Sequence, residues 1–246
     1  MDIIQVITKE LNVEKWQVEA AVKLIDEGCT IPFISRYRKE ATGSLNDEQL
    51  RTLHERLTYL RNLEEKKNQV LGSIEEQGKL TAELKKQILD AQTLVVVEDL
   101  YRPFRPKRRT RAIIAKEKGL EPLANIIMLQ MTDKPIEEEA QDFVSEDKGV
   151  ESVADAINGA KDIIAEHISD EADYRIYLRK LTMDRGSVAS TAKKPEESSV
   201  YEMYYEFEEP IKKLAGHRVL ALNRGEKEKI LTVKVNAPEE EAMGWL

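Results

Sequence analysis

The sequence has little of what disulfides, metal centres and tight turns require. Among its 246 residues there are one cysteine, three histidines, eight prolines and eleven glycines. Cys29 has no second cysteine for an internal disulfide, which is typical of a reducing compartment. The histidines, His54, His167 and His217, lie far apart, and no metal-ligand spacing accompanies them. We therefore expect neither a metal site nor a cofactor.

Long apolar runs and catalytic motifs are also missing. No stretch approaches the roughly 20 apolar residues of a membrane span, and the N-terminus lacks the basic and apolar regions of a signal peptide. No glycine-rich phosphate loop, nucleophile elbow or cysteine–histidine pair appears. The sequence thus predicts a cytoplasmic protein with no membrane contact, no enzymatic activity and no small-molecule substrate.

Charged residues are abundant but unevenly placed. They make up 34% of the chain and give a net charge of −8. The region from Glu98 to Lys118 has eight basic and three acidic residues, whereas Met131 to Asp173 has three basic and fourteen acidic ones. A net negative protein does not coat nucleic acid with its whole surface, so contact with a polyanion must be local.

The spacing of apolar residues predicts a mainly helical, all-α fold. Few glycines and prolines and many charges favour helices over a sandwich or barrel. A leucine-rich stripe from Leu50 to Ile74, interrupted at Glu64 and Lys67, predicts one long helix that ends near Glu76. Shorter helices are expected on both sides, each with a capping residue, and together they predict a multi-helix bundle.

Three segments carry further predictions about the fold. Two short helices around Gly119, between Thr110 and Met131, have the pattern of a helix-turn-helix-like part. Gly186–Pro195 favours a loop or linker. Arg218–Val235 fits either a hairpin around Gly225 or a helix followed by a strand. The alternation over Leu231–Val235 predicts a short β segment near the C-terminus, for which the sequence offers no partner strand.

The sharpest local feature is a run of basic and aromatic residues around two prolines. Arginines neutralise phosphates and stack on bases, and aromatic rings give a stacking platform with little sequence preference. The run predicts a nucleic-acid site at Tyr101, Arg102, Phe104, Arg105, Lys107, Arg108, Arg109 and Arg111. The alternative interpretation is an ordered loop whose basic side chains pair with the acidic helices downstream, and the two are compatible.

A second basic patch contains Arg36, Arg38 and Lys39. One helical turn cannot direct all three side chains the same way, so at least one is expected to make an internal contact. Packing is the favoured interpretation of this patch, and nucleic-acid contact is the alternative.

Several ordered stretches resemble the N-terminal region of the Tex family of bacterial transcription accessory proteins. The similarity spans nearly the whole chain and is more specific than any short motif. It is carried by Ile31–Gly43, Glu75–Thr81, Pro106–Ala112, Gly119–Ala124, Ala160–Glu166, His217–Arg218 and Asn223–Glu226.

The resemblance implies a helical region of a larger protein that binds nucleic acid and acts in transcription. The basic run, as a phosphate-contacting site, predicts that RNA or DNA is bound with weak sequence specificity. The family continues with ribonuclease-H-like, helix-hairpin-helix and S1 RNA-binding domains. On this basis we predict an N-terminal helical domain over 1–77, a helix-turn-helix-like domain over 78–192, and linker helices over 193–246 that lead into a truncated ribonuclease-H-like domain.

A different class of function remains open for the same chain. The helices and the acidic aromatic segment Tyr201–Phe207 could form a protein-interaction scaffold. Its partner would be RNA polymerase, the ribosome or the rest of the parent protein. A binding measurement on variants of Arg108 and Arg109 would separate this alternative from nucleic-acid binding.

Overall fold

A computed structural model describes residues 2–245 of the chain. The chain forms two compact units, of which the first ends at Phe104 and the second begins at Arg105. Within the described residues, no helix is both long enough and apolar enough to cross a membrane. Over the same range, no three histidine, cysteine, aspartate or glutamate side chains come together as potential metal ligands.

The first unit consists of helices. Asn46 and Gln49 form a reciprocal capping box that begins the long helix, with the Gln49 backbone N–H 2.8 Å from Asn46 Oδ1. Thr93 caps the helix over Leu94–Tyr101 by accepting from the Val96 N–H. The helices are α1 Ile3–Leu11, α2 Lys15–Asp26, α3 Ile31–Tyr37, α4 Asp47–Glu76, α5 Ala82–Asp90 and α6 Leu94–Tyr101, followed by a 3₁₀ turn over Arg102–Phe104.

The long helix α4 organises the core of this unit. It contacts all five other helices of the unit, and its predicted stripe is buried from Leu50 to Ile74. The stripe is not interrupted at Lys67, because that side chain is itself buried, with 1% of its surface exposed. The Lys67 ammonium donates to the carbonyl oxygen of Leu89 at 2.8 Å and lies 3.1 Å from a carboxylate oxygen of Glu64. A charged residue therefore occupies a core position here.

The second unit begins with helices that surround a central one. They are α7 Arg111–Glu117, α8 Glu121–Leu129, α9 Ile136–Gln141, α10 Val153–Asp170 and α11 Ala172–Arg185. The central helix α10 packs against α7, α8, α9 and α11. Gly159 lets Leu120 pack directly on α10, since a Cβ atom at position 159 would lie 2.3 Å from Leu120 Cδ1. The turn between α7 and α8 contains Gly119 with φ of +82°, as its position predicts.

The C-terminal part of this unit is a small antiparallel sheet with two further helices. The strands are β1 Ser187–Ala192, β2 Glu206–Pro210 and β3 Leu231–Asn236, in the order β2–β1–β3, and the helices are α12 Gly216–Lys227 and α13 Glu239–Trp245. Short 3₁₀ turns cover Glu146–Lys148, Glu202–Tyr204 and Ile211–Lys213. The mainly helical fold with a short β segment near the C-terminus is thus confirmed.

Two predictions about this sheet were wrong. The segment Gly186–Pro195 is not a linker, because β1 lies in it as the central strand. The strand β3 is not without a partner, since it pairs with β1 from Ser187 opposite Asn236 to Ala192 opposite Leu231. Of the two alternatives for Arg218–Val235, the helix followed by a strand is correct. The predicted division into 1–77, 78–192 and 193–246 stays a prediction about domains.

Candidate nucleic-acid interface

The predicted basic run begins in the first unit, where its aromatic side chains have structural roles. Tyr101 ends α6, and its hydroxyl lies 3.0 Å from Ser73 Oγ. Phe104 packs against the core of the unit, and its carbonyl oxygen accepts from Gln77 Nε2 at 3.0 Å. Because both rings lie against the core, they do not form an open stacking platform. Arg102 is exposed.

The run continues in the second unit, where Lys107 holds it to α10. The Lys107 ammonium forms an ion pair with Asp170 and lies 3.4 Å from a carboxylate oxygen of Glu166. The Thr110 hydroxyl donates to Glu166 at 2.9 Å and accepts from the Ile113 N–H, so it also caps α7. This is the pairing with downstream acids that the alternative interpretation expected. Its effect is to fix the backbone on both sides of Arg108 and Arg109.

Three arginines project from this fixed segment into solvent. Arg109 is 70% exposed and lies 2.7 Å from Glu117, and Arg111 is 86% exposed and lies 3.6 Å from Asp162. Arg108 is exposed and has no hydrogen bond or ion pair to any residue of the described range 2–245. Exposed ion pairs contribute only about 0.2–1 kcal/mol, so Arg109 and Arg111 can exchange their carboxylates for phosphates at little cost. Arg105 is also exposed.

The second predicted patch lies in the first unit, at the end of α3. Arg36, Arg38 and Lys39 are all exposed. Arg38 makes a contact within the chain, since its guanidinium carbon lies 5.3 Å from the centre of the Phe33 ring, but this contact lies at the surface. Phe33 is absent from the predicted site residues, although its spacing of four from Tyr37 places the two rings on one helix face. That spacing is the signal that could have identified it.

The acidic aromatic segment Tyr201–Phe207 is largely a core element. Tyr201 and Tyr204 are 7% and 5% exposed and form the core of the sheet region with Leu222 and Leu231. The Tyr204 carbonyl oxygen accepts from Ser190 Oγ of β1 at 2.6 Å. The aromatic side chains that suggested a docking segment are therefore used internally.

The helices around Gly119 do not resemble a base-reading element in their exposed residues. Both α7 and α8 pack against α10. The exposed end of α8 carries Met128 and Leu129, which are 42% and 65% exposed. Apolar side chains cannot read the hydrogen-bonding pattern of base edges. The helix-turn-helix-like part stays a prediction, and sequence-specific reading is not expected from it.

Comparison with known proteins gives a consistent assignment along the chain. Residues 1–75 match the Tex-like protein N-terminal domain, and residues 131–244 match the Tex central region-like family. An uncharacterized protein of Bacillus subtilis, YdcI, is 47% identical over 245 residues, which is 98% of this chain and 34% of that protein.

Two relatives have descriptive names. The transcriptional accessory protein Tex of Neisseria gonorrhoeae is 41% identical over 235 residues, which is 95% of this chain and 31% of that protein. The human S1 RNA-binding domain-containing protein 1 is 32% identical over 245 residues, which is 96% of this chain and 24% of that protein. The chain spans about a third or less of the length of these curated relatives. Since the two Tex family models together match most of the chain, the chain belongs to the Tex family.

Proposed function

We propose that this chain is a non-catalytic nucleic-acid-binding region of a transcription accessory protein, and that Arg108, Arg109 and Arg111 contact the phosphate backbone. The names of two relatives support the general role, since one is called a transcriptional accessory protein and another an S1 RNA-binding domain-containing protein. The same names support a non-enzymatic role. The ligand is RNA or DNA, read with little sequence specificity.

The observation that carries the proposal is the contrast between Lys107 and the arginines after it. Lys107 and Thr110 bind carboxylates of α10. The three arginines Arg108, Arg109 and Arg111 lie within four residues of chain and expose their guanidinium groups to solvent. A guanidinium group binds phosphate oxygens in a bidentate manner and stays charged at any physiological pH. A segment fixed in this way loses little conformational entropy when a phosphate chain binds.

We limit the proposed site to the exposed arginines. Tyr101 and Phe104 pack against a core, and Lys107 anchors the loop, so substitutions at these positions would change folding as well as binding. Contact with phosphates alone, without base readout, makes affinity salt-sensitive and nearly independent of sequence. The discriminating variants are therefore those of the exposed arginines.

The test is a fluorescence-anisotropy titration of labelled single-stranded RNA and duplex DNA with this chain at low and moderate salt. The variant Arg108→Ala/Arg109→Ala/Arg111→Ala is compared with a control, Lys9→Ala/Lys23→Ala/Lys227→Ala. Each of these lysines is exposed on a helix. The control therefore removes the same number of positive charges from residues outside the arginine cluster.

We expect the arginine variant to lose at least about tenfold in affinity for both ligands at low salt. The lysine control should bind within about twofold of the unsubstituted chain, because none of its three lysines belongs to the proposed phosphate site. Equal losses in the two variants would show that only net charge matters and would overturn the assignment. Circular dichroism of each variant confirms that it is folded before binding is compared.

An open groove in the second unit favours the alternative, a protein-interaction scaffold. The groove has a volume of about 550 Å³ and is lined mainly by apolar side chains of α11, the sheet and α12, including Leu178, Met183 and Val235. Exposed apolar surface of this kind commonly marks a protein contact. Under this alternative, RNA polymerase, the ribosome or the rest of the parent protein would occupy it, and the folded chain would bind neither nucleic acid at low salt.

A further inference from the structure

The end of α3 carries an exposed surface that combines aromatic rings and basic groups. We define the α3 surface as Phe33, Arg36, Tyr37, Arg38 and Lys39. Tyr37 is 66% exposed and Phe33 is 37% exposed. Leaving two neighbouring rings in water costs hydrophobic free energy that burial would recover, so their exposure has to be explained.

The rings and one guanidinium group lie close enough to act together. The centres of the Phe33 and Tyr37 rings are 5.4 Å apart and the rings are inclined by 45°. The Arg38 guanidinium lies over Phe33 at 5.3 Å from the ring centre. Arg38 thus forms a cation–π contact with Phe33, while most of the Tyr37 side chain remains open to solvent. Arg36 and Lys39 flank this group in the sequence and are exposed.

The backbone below this surface is held by buried polar contacts. Thr42 is fully buried, and its hydroxyl donates toward the carbonyl oxygens of Arg38 and Lys39 at 3.2 and 3.4 Å. The Gln17 side-chain amide of α2 donates to the carbonyl oxygens of Thr42 and Gly43 at 3.3 and 3.0 Å. These bonds fix the segment that follows Tyr37, so its side chains are presented from a rigid support.

Gly43 completes that support. Its φ of +60° is the left-handed conformation that glycine adopts without strain, and a Cβ atom there would lie 2.5 Å from Trp16 Cη2. The indole of Trp16 therefore covers the turn directly. A rigid turn with exposed aromatic and basic side chains is what a preorganised binding surface requires, because little side-chain and backbone freedom is then lost on binding.

The basic groups and exposed rings of the α3 surface indicate which class of ligand it would bind. Between residues 31 and 41 there are three basic residues and one acid, Glu40. Basic groups beside exposed rings match a strand that has phosphates beside unpaired bases, since bases stack on aromatic side chains and phosphates pair with the flanking cations. A duplex offers phosphates but keeps its bases paired and stacked. A surface of this kind would therefore favour single strands over duplexes.

We propose that the α3 surface is a second nucleic-acid site, which binds unpaired bases of single-stranded RNA or DNA by stacking on Tyr37. Arg36 and Lys39 contact the neighbouring phosphates, and Arg38 with Phe33 holds the ring in place. The proposal shares its ligand class with the proposed function but uses different residues of a different unit. Failure of one site therefore does not imply failure of the other.

The experiment uses two substitutions at one exposed position. Tyr37→Leu keeps an apolar side chain but removes the aromatic face, whereas Tyr37→Phe keeps the face. Both are made in the unsubstituted chain and in the Arg108→Ala/Arg109→Ala/Arg111→Ala chain. The probes are labelled oligonucleotides of about 12 nucleotides, one RNA and one DNA of unstructured sequence, and the blunt duplex of the same DNA.

We expect Tyr37→Leu to weaken binding of single strands by at least about fivefold, the lower limit for a base–aromatic stack, and to leave duplex binding unchanged. Tyr37→Phe should bind like the unsubstituted chain. The RNA and DNA arms show which single strand is preferred. If the triple-arginine chain binds none of the probes, the test is the ratio of single-strand to duplex affinity. This ratio is then compared between the unsubstituted chain and the same chain with Tyr37→Leu.

Two results would overturn the proposal. Unchanged single-strand affinity in Tyr37→Leu would show that no base stacks on this ring and would leave the surface to a protein partner. An equal loss for duplex and single strand would show that Tyr37 acts through the fold or through phosphates alone. Thermal unfolding of both variants, expected to match the unsubstituted chain because Tyr37 is exposed, excludes a folding defect.

Discussion

At the scale of single residues, Lys67 shows how a charge can be part of a core. It lies on the buried face of α4, where leucines occupy the equivalent turns. Its ammonium joins the last turn of α5 to α4 through the Leu89 carbonyl, and Glu64 balances its charge. A buried charge is tolerated when it has polar and oppositely charged partners, and removing it leaves those partners unsatisfied at a cost in stability.

We expect Lys67→Met to lower the free energy of unfolding by about 2–3 kcal/mol, because it keeps the side-chain length but leaves the Leu89 carbonyl and Glu64 without the ammonium. Urea denaturation measures the change. Lys86→Met, an exposed position on α5, is the control and should change stability by less than about 0.5 kcal/mol. An unchanged free energy of unfolding in Lys67→Met would mean that packing alone holds α5 in place.

Gly43 provides a second residue-scale prediction. Gly43→Ala should lower the free energy of unfolding by about 2–3 kcal/mol, since the substitution combines left-handed strain with a clash against Trp16. The matched control is Gly28→Ala, where φ is +86° but no atom lies within 4 Å of the new Cβ. It should cost only the strain, about 1 kcal/mol. Equal losses of stability in the two variants would show that the contact with Trp16 does not contribute. Tryptophan fluorescence is a second measurement of that contact.

At the scale of elements, two ion pairs attach α1 and α2 to the long helix. Arg56 of α4 holds Glu10 through two hydrogen bonds of 2.6 Å, and Arg61 holds Asp26 through bonds of 2.7 and 2.8 Å. Each arginine lowers the pKa of its carboxylate partner, chiefly through these hydrogen bonds. Each pair links residues far apart in sequence, so it stabilises the packing of helices rather than one helix.

These lowered pKa values predict acid sensitivity. A carboxylate whose pKa is lower when folded contributes stability above its unfolded pKa, here 4.5 for glutamate and 3.8 for aspartate, and the contribution is lost as the pH falls through the folded value. Arg56→Gln/Arg61→Gln should therefore cost about 1–2 kcal/mol near neutral pH, because the pairs are partly exposed, and almost nothing at about pH 2.

The measurement is urea denaturation of the variant and the unsubstituted chain across that pH range. Arg51→Gln is the control on the same helix, since Arg51 pairs with Asp47 within α4 itself. It should cost about 0.3–0.5 kcal/mol. A difference between the double variant and the unsubstituted chain that persists at low pH would show that the arginines act through packing instead.

The strand β1 shows why one element was missed. Its sequence, Ser-Val-Ala-Ser-Thr-Ala, has a single large apolar residue. The buried Ser190 satisfies its hydroxyl by donating to the Tyr204 carbonyl oxygen. Small side chains leave no strong alternation to recognise, and the strand is defined by pairing with β2 and β3 on both sides. By contrast, α4 was predicted to end near Glu76, because a long apolar stripe is a local signal.

At the scale of the whole molecule, the net charge of −8 and the basic run act against each other. The overall charge repels a polyanion, and only local clusters of arginine attract it. Phosphate contacts release counterions, so the number of contacts can be read from the salt dependence of affinity.

For a single strand held by Arg108, Arg109 and Arg111, the logarithm of the binding constant should fall with the logarithm of salt concentration with a slope of about −2. Each single arginine-to-alanine substitution should reduce the slope by about 0.7. Anisotropy titrations at four or more salt concentrations measure it, with Lys227→Ala as the control that should leave the slope unchanged. A slope unaffected by all three arginine substitutions would place the phosphates elsewhere.

The sequence by itself determined the helical class, the end of the long helix and the family. Apolar periodicity, caps such as Asn46, Thr93 and Thr110, and long ordered matches are all local information. The tertiary structure decided which side chains remain available. It buried Lys67, Tyr201 and Tyr204, used Lys107 as an anchor and left Arg108 and Tyr37 in solvent. Burial depends on contacts between residues far apart in the chain, such as Lys107 with Asp170 and Gln17 with Thr42, and no local pattern encodes them.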